Sequence, residues 1–230
     1  AERALRRRVG PNARGAVVVM HVQTGDVLAL VSSPAFDPNQ FIPQIGQEDY
    51  ARLNDPTLRP QINRATQENY QPGSIFKIVT ALAALDAGLD PEDTIYNPGH
   101  IFIARREIRD EAMPGVYNFK RGFIKSSNTY FISNGLRAGI ENLVRIGQRL
   151  HLGERTGLPT GQEVSGNLPS PRRIRVGWTA GDTANLCIGQ GAIDVTPLQM
   201  AVMTAAIANG GKVLYPRLVS RIEPADPQEG

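Results

Sequence analysis

The chain has little of several things that would have made it easy to classify. Cys187 is the only cysteine among 230 residues, so no intrachain disulfide can form. It lies in an apolar stretch, where a small buried thiol is the expected use. The three histidines, His21, His100 and His151, are scattered singly without ligand spacing, which gives no support to a metal centre. Lysine is scarce, 4 against 21 arginines, and the net charge is only +3. The basic clusters Arg6-Arg7-Arg8 and Arg172-Arg173-Ile174-Arg175 carry no interleaved aromatics, which argues against a nucleic-acid surface and for solvated charge or contact with an anionic polymer. No apolar run reaches the eighteen residues of a membrane span, and residues 1–15 resemble neither a signal peptide nor an anchor. Neither an internal repeat nor a low-complexity tract is present.

What is there is ordinary globular chemistry: 41% hydrophobic and 20% charged residues, enough to bury a core. Gly15 to Ser33 reads as a hairpin. Ala16-Val17-Val18-Val19-Met20 and Val27-Leu28-Ala29-Leu30-Val31 are apolar strands around the turn Gln23-Thr24-Gly25-Asp26, and their near-continuous apolarity predicts cover on both faces. A short polar helix is expected near Gln47 to Asn54, a strand over Ile101-Phe102-Ile103-Ala104, and helices over Phe119 to Lys125, from Thr129 to near Gly139, and over Ile140 to Leu150. Thr196 followed by Pro197 marks the start of a helix that Asn209-Gly210-Gly211 ends. Lys212 to Leu214 and Arg217 to Ile222 look like short strands. These elements predict an α+β fold, an antiparallel sheet with helices segregated around it.

The chemistry concentrates at Tyr70-Gln71-Pro72-Gly73-Ser74-Ile75-Phe76-Lys77. Pro-Gly followed by the apolar run Ile75, Phe76, Ile78, Val79, Leu82 is a turn feeding a helix, with Ser74 at its start. Positions three apart share a helix face, so Lys77 is expected beside Ser74. A serine hydroxyl needs a base, and a lysine becomes one when burial or positive surroundings lower its pKa. In a chain with nine serines and four lysines, a Ser-x-x-Lys match alone is a weak signal. A second polar group, Ser126-Ser127-Asn128, precedes the apolar run of a new helix, where helix capping competes with catalysis as an explanation.

Ser74-x-x-Lys77 together with Ser126-Ser127-Asn128 resembles the penicillin-binding proteins and serine β-lactamases. Further stretches are similar to the class B transpeptidase domain: Thr24-Gly25-Asp26-Val27-Leu28-Ala29, Ser33-Pro34-Ala35-Phe36-Asp37-Pro38-Asn39, Asn63-Arg64-Ala65, and Gly189-Gln190-Gly191 through Thr196-Pro197-Leu198-Gln199-Met200. Trp178-Thr179-Ala180-Gly181-Asp182-Thr183 is closer to the elongation type, penicillin-binding protein 2, than to the septation type. The resemblance implies that Ser74 attacks the penultimate D-Ala of a peptidoglycan stem peptide, that Lys77 is the base, that Ser126 relays a proton, and that Asn128 holds Lys77 and binds the substrate amide. A neighbouring amine would then resolve the acyl-enzyme into a cross-link, and β-lactam antibiotics would acylate Ser74. It implies no cofactor and no nucleic-acid partner. It also implies a membrane-anchored protein at the periplasmic face of the bacterial cytoplasmic membrane, with a glycan-polymerising partner and elongation-complex proteins.

Two departures from the family pattern matter. No Lys-Thr-Gly or Lys-Ser-Gly follows Asn128, so the expectation is that residues 1–230 are an incomplete transpeptidase domain, lacking C-terminal strands of the sheet, an anchor and any N-terminal pedestal, and acylated very poorly by itself. Residues 95–125 contain no cysteine and only His100, so the zinc site of some elongation-type relatives is not expected. The rival readings are a β-lactam-hydrolysing or β-lactam-sensing serine protein on the same fold, although no Glu-x-x-Leu-Asn stretch occurs, and a non-catalytic interaction module.

Overall fold

A computed structural model describes residues 2–10 and 12–221. In chain order the elements are α1 (Glu2–Val9), β1 (Gly15–Met20), β2 (Val27–Ser33), α2 (Gln47–Leu53) and α3 (Lys77–Asp86), followed by β3 (Ile95–Asn97), β4 (His100–Ile103), β5 (Arg106–Arg109) and β6 (Gly115–Tyr117). Then come α4 (Phe119–Lys125), α5 (Asn128–Ala138), α6 (Ile140–Arg149), α7 (Pro171–Arg175), α8 (Ala180–Cys187) and α9 (Pro197–Ala208). The fold is mixed α and β, with short sheets and flanking helices. Where one antiparallel sheet was expected, the described residues form three separate two-stranded antiparallel ladders, β1-β2, β3-β6 and β4-β5.

The chain divides into two compact units. The first comprises residues 1–69, 154–165 and 196–230. Its hairpin runs in register from Gly15 opposite Ser33 to Met20 opposite Val27, with a bulge at Val19/Met20. Helix α9 packs on β1 and α1 on β2. The expected cover on both faces is only partial, because Val19 and Leu28 remain 44% and 65% exposed near the turn. Thr196 caps α9 in a full capping box with Gln199, and the Gln199 amide also donates to Glu154 O at 2.7 Å and Ser165 O at 2.9 Å. That side chain therefore fastens the 154–165 loop to the helix. The strands expected after α9 are not formed among the described residues. Pro216 lacks an N–H to continue a ladder, so pairing is confined to one parallel bridge, with Val27 N–H donating to Arg217 O and Arg217 N–H to Gly25 O. Residues beyond Arg221 lie outside the described part, and the expected second strand ends there.

The second unit comprises residues 70–153 and 166–195 and is built around α5. That helix buries Tyr130, Phe131 and Ile132 almost completely, because α3, α6 and α8 pack around it. Each such side chain contributes about 1.5–3 kcal/mol by leaving water. Glycine permits a close approach of α5 and α8: a Cβ on Gly135 would lie 2.3 Å from Cys187 Sγ. Helix α8 is an addition to the sequence reading, as are β3, β5, β6 and α7.

Candidate active site

Everything about the segment entering α3 serves to fix one turn. Tyr70 and Val195 exchange both backbone hydrogen bonds, and Gly73 N–H donates to Gly189 O at 2.9 Å. Gly73 takes a positive φ of 55° to make the corner. Residues Gly73–Phe76 then form a 3-10 turn that continues into α3. Phe76 anchors it from within, fully buried, while Ser74 faces solvent. The Ser74 backbone N–H is in the first turn of the helical run, where backbone donors have no partner from a preceding turn and the helix dipole is positive. Gly189 is more constrained than Gly73, where an added Cβ would meet nothing within 4 Å: its φ is +69°, and a Cβ there would lie 2.1 Å from Gly73 O and 2.7 Å from Gly73 N.

The second polar cluster sits where α4 gives way to α5. Ser126 ends α4 in the left-handed conformation, with φ 53°, a strained choice for a residue with a side chain. Ser127, fully buried, is the true N-cap of α5, its Oγ accepting from Tyr130 N–H at 3.2 Å. Capping is thus assigned to Ser127 and does not account for its neighbours. Ser127 caps, and Ser126 and Asn128 on either side of it face Lys77.

All four expected site residues come together in the second unit. Lys77 is 3% exposed and donates from Nζ to Ser126 O at 2.5 Å, to Ser126 Oγ at 2.9 Å and to Asn128 Oδ1 at 2.8 Å. Ser126 Oγ in turn donates to Ser74 Oγ at 3.1 Å. The expectation that Lys77 would lie directly beside the nucleophile is therefore refined. Its amine turns toward the α4–α5 junction, and the hydrogen-bonded line runs Lys77, Ser126, Ser74. Asn128 holds Lys77 as expected, but one of its amide N–H groups is taken by Arg109 O at 3.0 Å, leaving a single N–H for a ligand.

Electrostatics favour the base. Burial strips water from the Lys77 ammonium and brings its pKa from 10.5 down to about 8, with the charges of Asp110 and Glu111 opposing the shift. Asp110 is itself perturbed. Burial pushes its carboxyl up, but hydrogen bonds from Ser127 Oγ at 2.6 Å, Thr129 N–H at 2.7 Å and Ala112 N–H at 3.0 Å outweigh that and hold it below its usual value. Asn97 completes the support, accepting from Thr129 Oγ1 at 3.0 Å. Over Ser74 lies a pocket of about 180 Å³ bounded by Ser74, Glu111, Lys125, Ser126, Asn128 and Gln190. Ligand sites that enclose a drug-sized molecule run to roughly 300–1,000 Å³, so this pocket by itself encloses only a small group. Among the described residues no group of three His, Cys, Asp or Glu side chains converges to hold a metal.

Asp110, Glu111, Asn97 and Gly189 carry weight here without having been singled out as functional from the sequence. Only Gly189, inside Gly189-Gln190-Gly191, had a visible signal.

Comparison with known proteins decides the family. The model described as the penicillin binding protein transpeptidase domain matches residues 15–229. The chain belongs to the penicillin-binding protein transpeptidase family. Within it the similarity is to the penicillin-binding protein 2 type. The chain is 35% identical over 223 residues to the peptidoglycan D,D-transpeptidase MrdA of Acinetobacter baumannii, covering 93% of this chain and 33% of that protein. Penicillin-binding protein 2 of Pseudomonas aeruginosa, solved in complex with WCK 5153, superposes with a TM-score of 0.87 at 36% identity, over 98% of this chain and 53% of that one. The Helicobacter pylori protein, solved with MreC, gives 0.86 at 30% identity over 97% and 42%. Penicillin-binding protein A of Mycobacterium tuberculosis, as its imipenem acyl-enzyme, gives 0.81 at 32% identity over 94% and 51%. The chain spans about a third of the length of the curated relatives it matches.

Proposed function

We propose that the chain carries the nucleophile side of a serine D,D-transpeptidase that cross-links peptidoglycan stem peptides and is acylated by β-lactams. The observation that carries this reading is the line from Lys77 Nζ through Ser126 Oγ to Ser74 Oγ, at 2.9 and 3.1 Å. With Lys77 neutral, Ser74 passes its proton to Ser126 Oγ as Ser126 passes its own to the lysine lone pair. The freed Ser74 oxygen attacks the penultimate D-Ala carbonyl, and the Ser74 backbone N–H faces the developing oxyanion. Collapse returns a proton through Ser126 to the departing D-Ala amine. An amine of a second stem peptide then resolves the ester. Asn128 keeps Lys77 on this line and offers its remaining N–H to the substrate amide. A group acting as general base contributes on the order of 10²–10⁴ in rate, so loss of Lys77 alone should silence the site in practice.

The reading further assigns the protein to cell elongation at the periplasmic face of the bacterial cytoplasmic membrane, with a glycan-polymerising partner and elongation-complex proteins. The MreC complex of the Helicobacter pylori relative supports that placement. No helix among the described residues is long and apolar enough to cross a membrane. The test is labelling of the full gene product with a fluorescent penicillin. Stoichiometric labelling that disappears in Ser74→Ala and in Lys77→Ala is the expected result, and label retained in Ser74→Ala refutes the assignment of the nucleophile.

A further inference from the structure

The pocket over the nucleophile contains a carboxylate that acylation does not use. Glu111 bounds it together with Ser74, Ser126 and Asn128. Its direction is set by its neighbours: Asp110 is locked by three hydrogen bonds on one side, and Ala112 is buried in the core on the other. The residue between them is left pointing outward and is exposed. Glu111 makes no hydrogen bond or ion pair with any described residue, so it has no structural task to account for it. Its charge also favours the protonated form of Lys77, which works against the base that acylation needs. A carboxylate placed where it slows the first half of a reaction invites a role in the second half.

We propose that Glu111 is the acceptor-amine subsite, binding the primary ammonium of the incoming acyl acceptor by charge. This rests on the transpeptidase reading of Ser74. A primary alkylamine is almost wholly protonated at neutral pH and has no lone pair to attack with. At Glu111 the ammonium is held by charge beside the ester. One of its protons passes through Ser126 to Lys77, neutral after the acylation half, and the nitrogen lone pair forms the C–N bond at the acyl carbon. The bond from that carbon to Ser74 Oγ breaks, and the second amine proton reaches Ser74 Oγ through Ser126, restoring the hydroxyl. Lys77 later releases its proton to solvent. The chemical class selected is a primary alkylammonium.

The experiment uses the full gene product with a benzoyl-D-alanyl thioester as acyl donor and Nα-acetyl-lysinamide as acceptor, reading the ratio of amide to hydrolysed acid. In Glu111→Gln that ratio should fall roughly two- to fivefold, the range of a solvated ion pair. Glu111→Asp should restore most of the ratio. Hydroxylamine, uncharged at neutral pH, should give the same ratio in wild type and Glu111→Gln. An unchanged lysinamide ratio in Glu111→Gln overturns the proposal, as does an equal fall with hydroxylamine. Absence of acylation in the wild-type protein overturns instead the reading of Ser74 on which it depends.

Discussion

Replacing Gly189 by alanine tests whether the nucleophile turn is held by backbone contact. Two costs add. Alanine at φ +69° sacrifices about 1–2 kcal/mol relative to a right-handed conformation. Its Cβ would also sit 2.1 Å from Gly73 O, so one backbone must move and the 2.9 Å Gly73–Gly189 hydrogen bond goes, a further loss of roughly 0.5–1.5 kcal/mol. The sum, about 2–3 kcal/mol, corresponds to a melting temperature lower by about 5–10 °C in a chain of this size. The effect on acylation should be larger than stability alone suggests. Ser74 is the next residue after Gly73, and a displacement of about 1 Å at a reacting group can cost on the order of a hundredfold in rate. Gly88→Ala is the control: φ is +90° there too, but nothing lies within 4 Å of the added carbon. It should lower the melting temperature by the conformational part alone and leave penicillin acylation unchanged. The measurements are thermal denaturation and the second-order rate of acylation. Wild-type acylation by Gly189→Ala, or equal slowing by Gly88→Ala, would refute the argument.

Two further outcomes follow from the same site. If Lys77 is the base, as proposed, the acylation rate should rise with pH and level off above about 8, where its folded-state pKa lies; a rate still climbing toward 10.5 would mean that the amine is not desolvated in the working protein. Asp110→Ala removes the acceptor for Ser127 Oγ and Thr129 N–H, both buried, and should destabilise by roughly 2–4 kcal/mol in denaturant titration and slow acylation by loosening the α4–α5 junction. A loss of stability with acylation intact would show that Asp110 only supports the fold.

How much of this was readable in the sequence depended on whether the cause was local. Helix α9 was legible because its cap, its first-turn proline and its terminal glycines are all adjacent in the chain. Ser74 and Lys77 were legible because a turn and a three-residue spacing put them on one helix. Helix α8 was passed over, although Thr179 and Asp182 form a capping box that the spacing Thr-x-x-Asp announces. Its small residues carry too little periodic apolarity to stand out. Strands β3 and β6 are three residues each and pair across an intervening hairpin, too short for alternation to register. Asp110 gave no signal of its link to α5, since beside the local Ala112 N–H its partners Ser127 and Thr129 lie 17 and 19 residues away. The position of Lys77 relative to Ser74 likewise depended on where α4 ends, which spacing within α3 cannot specify.

The close approach of α5 and α8 at Gly135 has a practical consequence. Cys187 is sealed there, fully buried, its thiol pushed up to about 12 by burial, and its carbonyl accepts from Thr80 Oγ1 at 2.8 Å. The thiolate is the form that attacks alkylating reagents, so in the closed protein this sulfur is both shielded and in the wrong ionisation state. Alkylation can proceed only in molecules whose helices have come apart. The single sulfhydryl is thus a native gauge of how often the helical layer beneath the nucleophile opens, readable by mass spectrometry without introducing any probe.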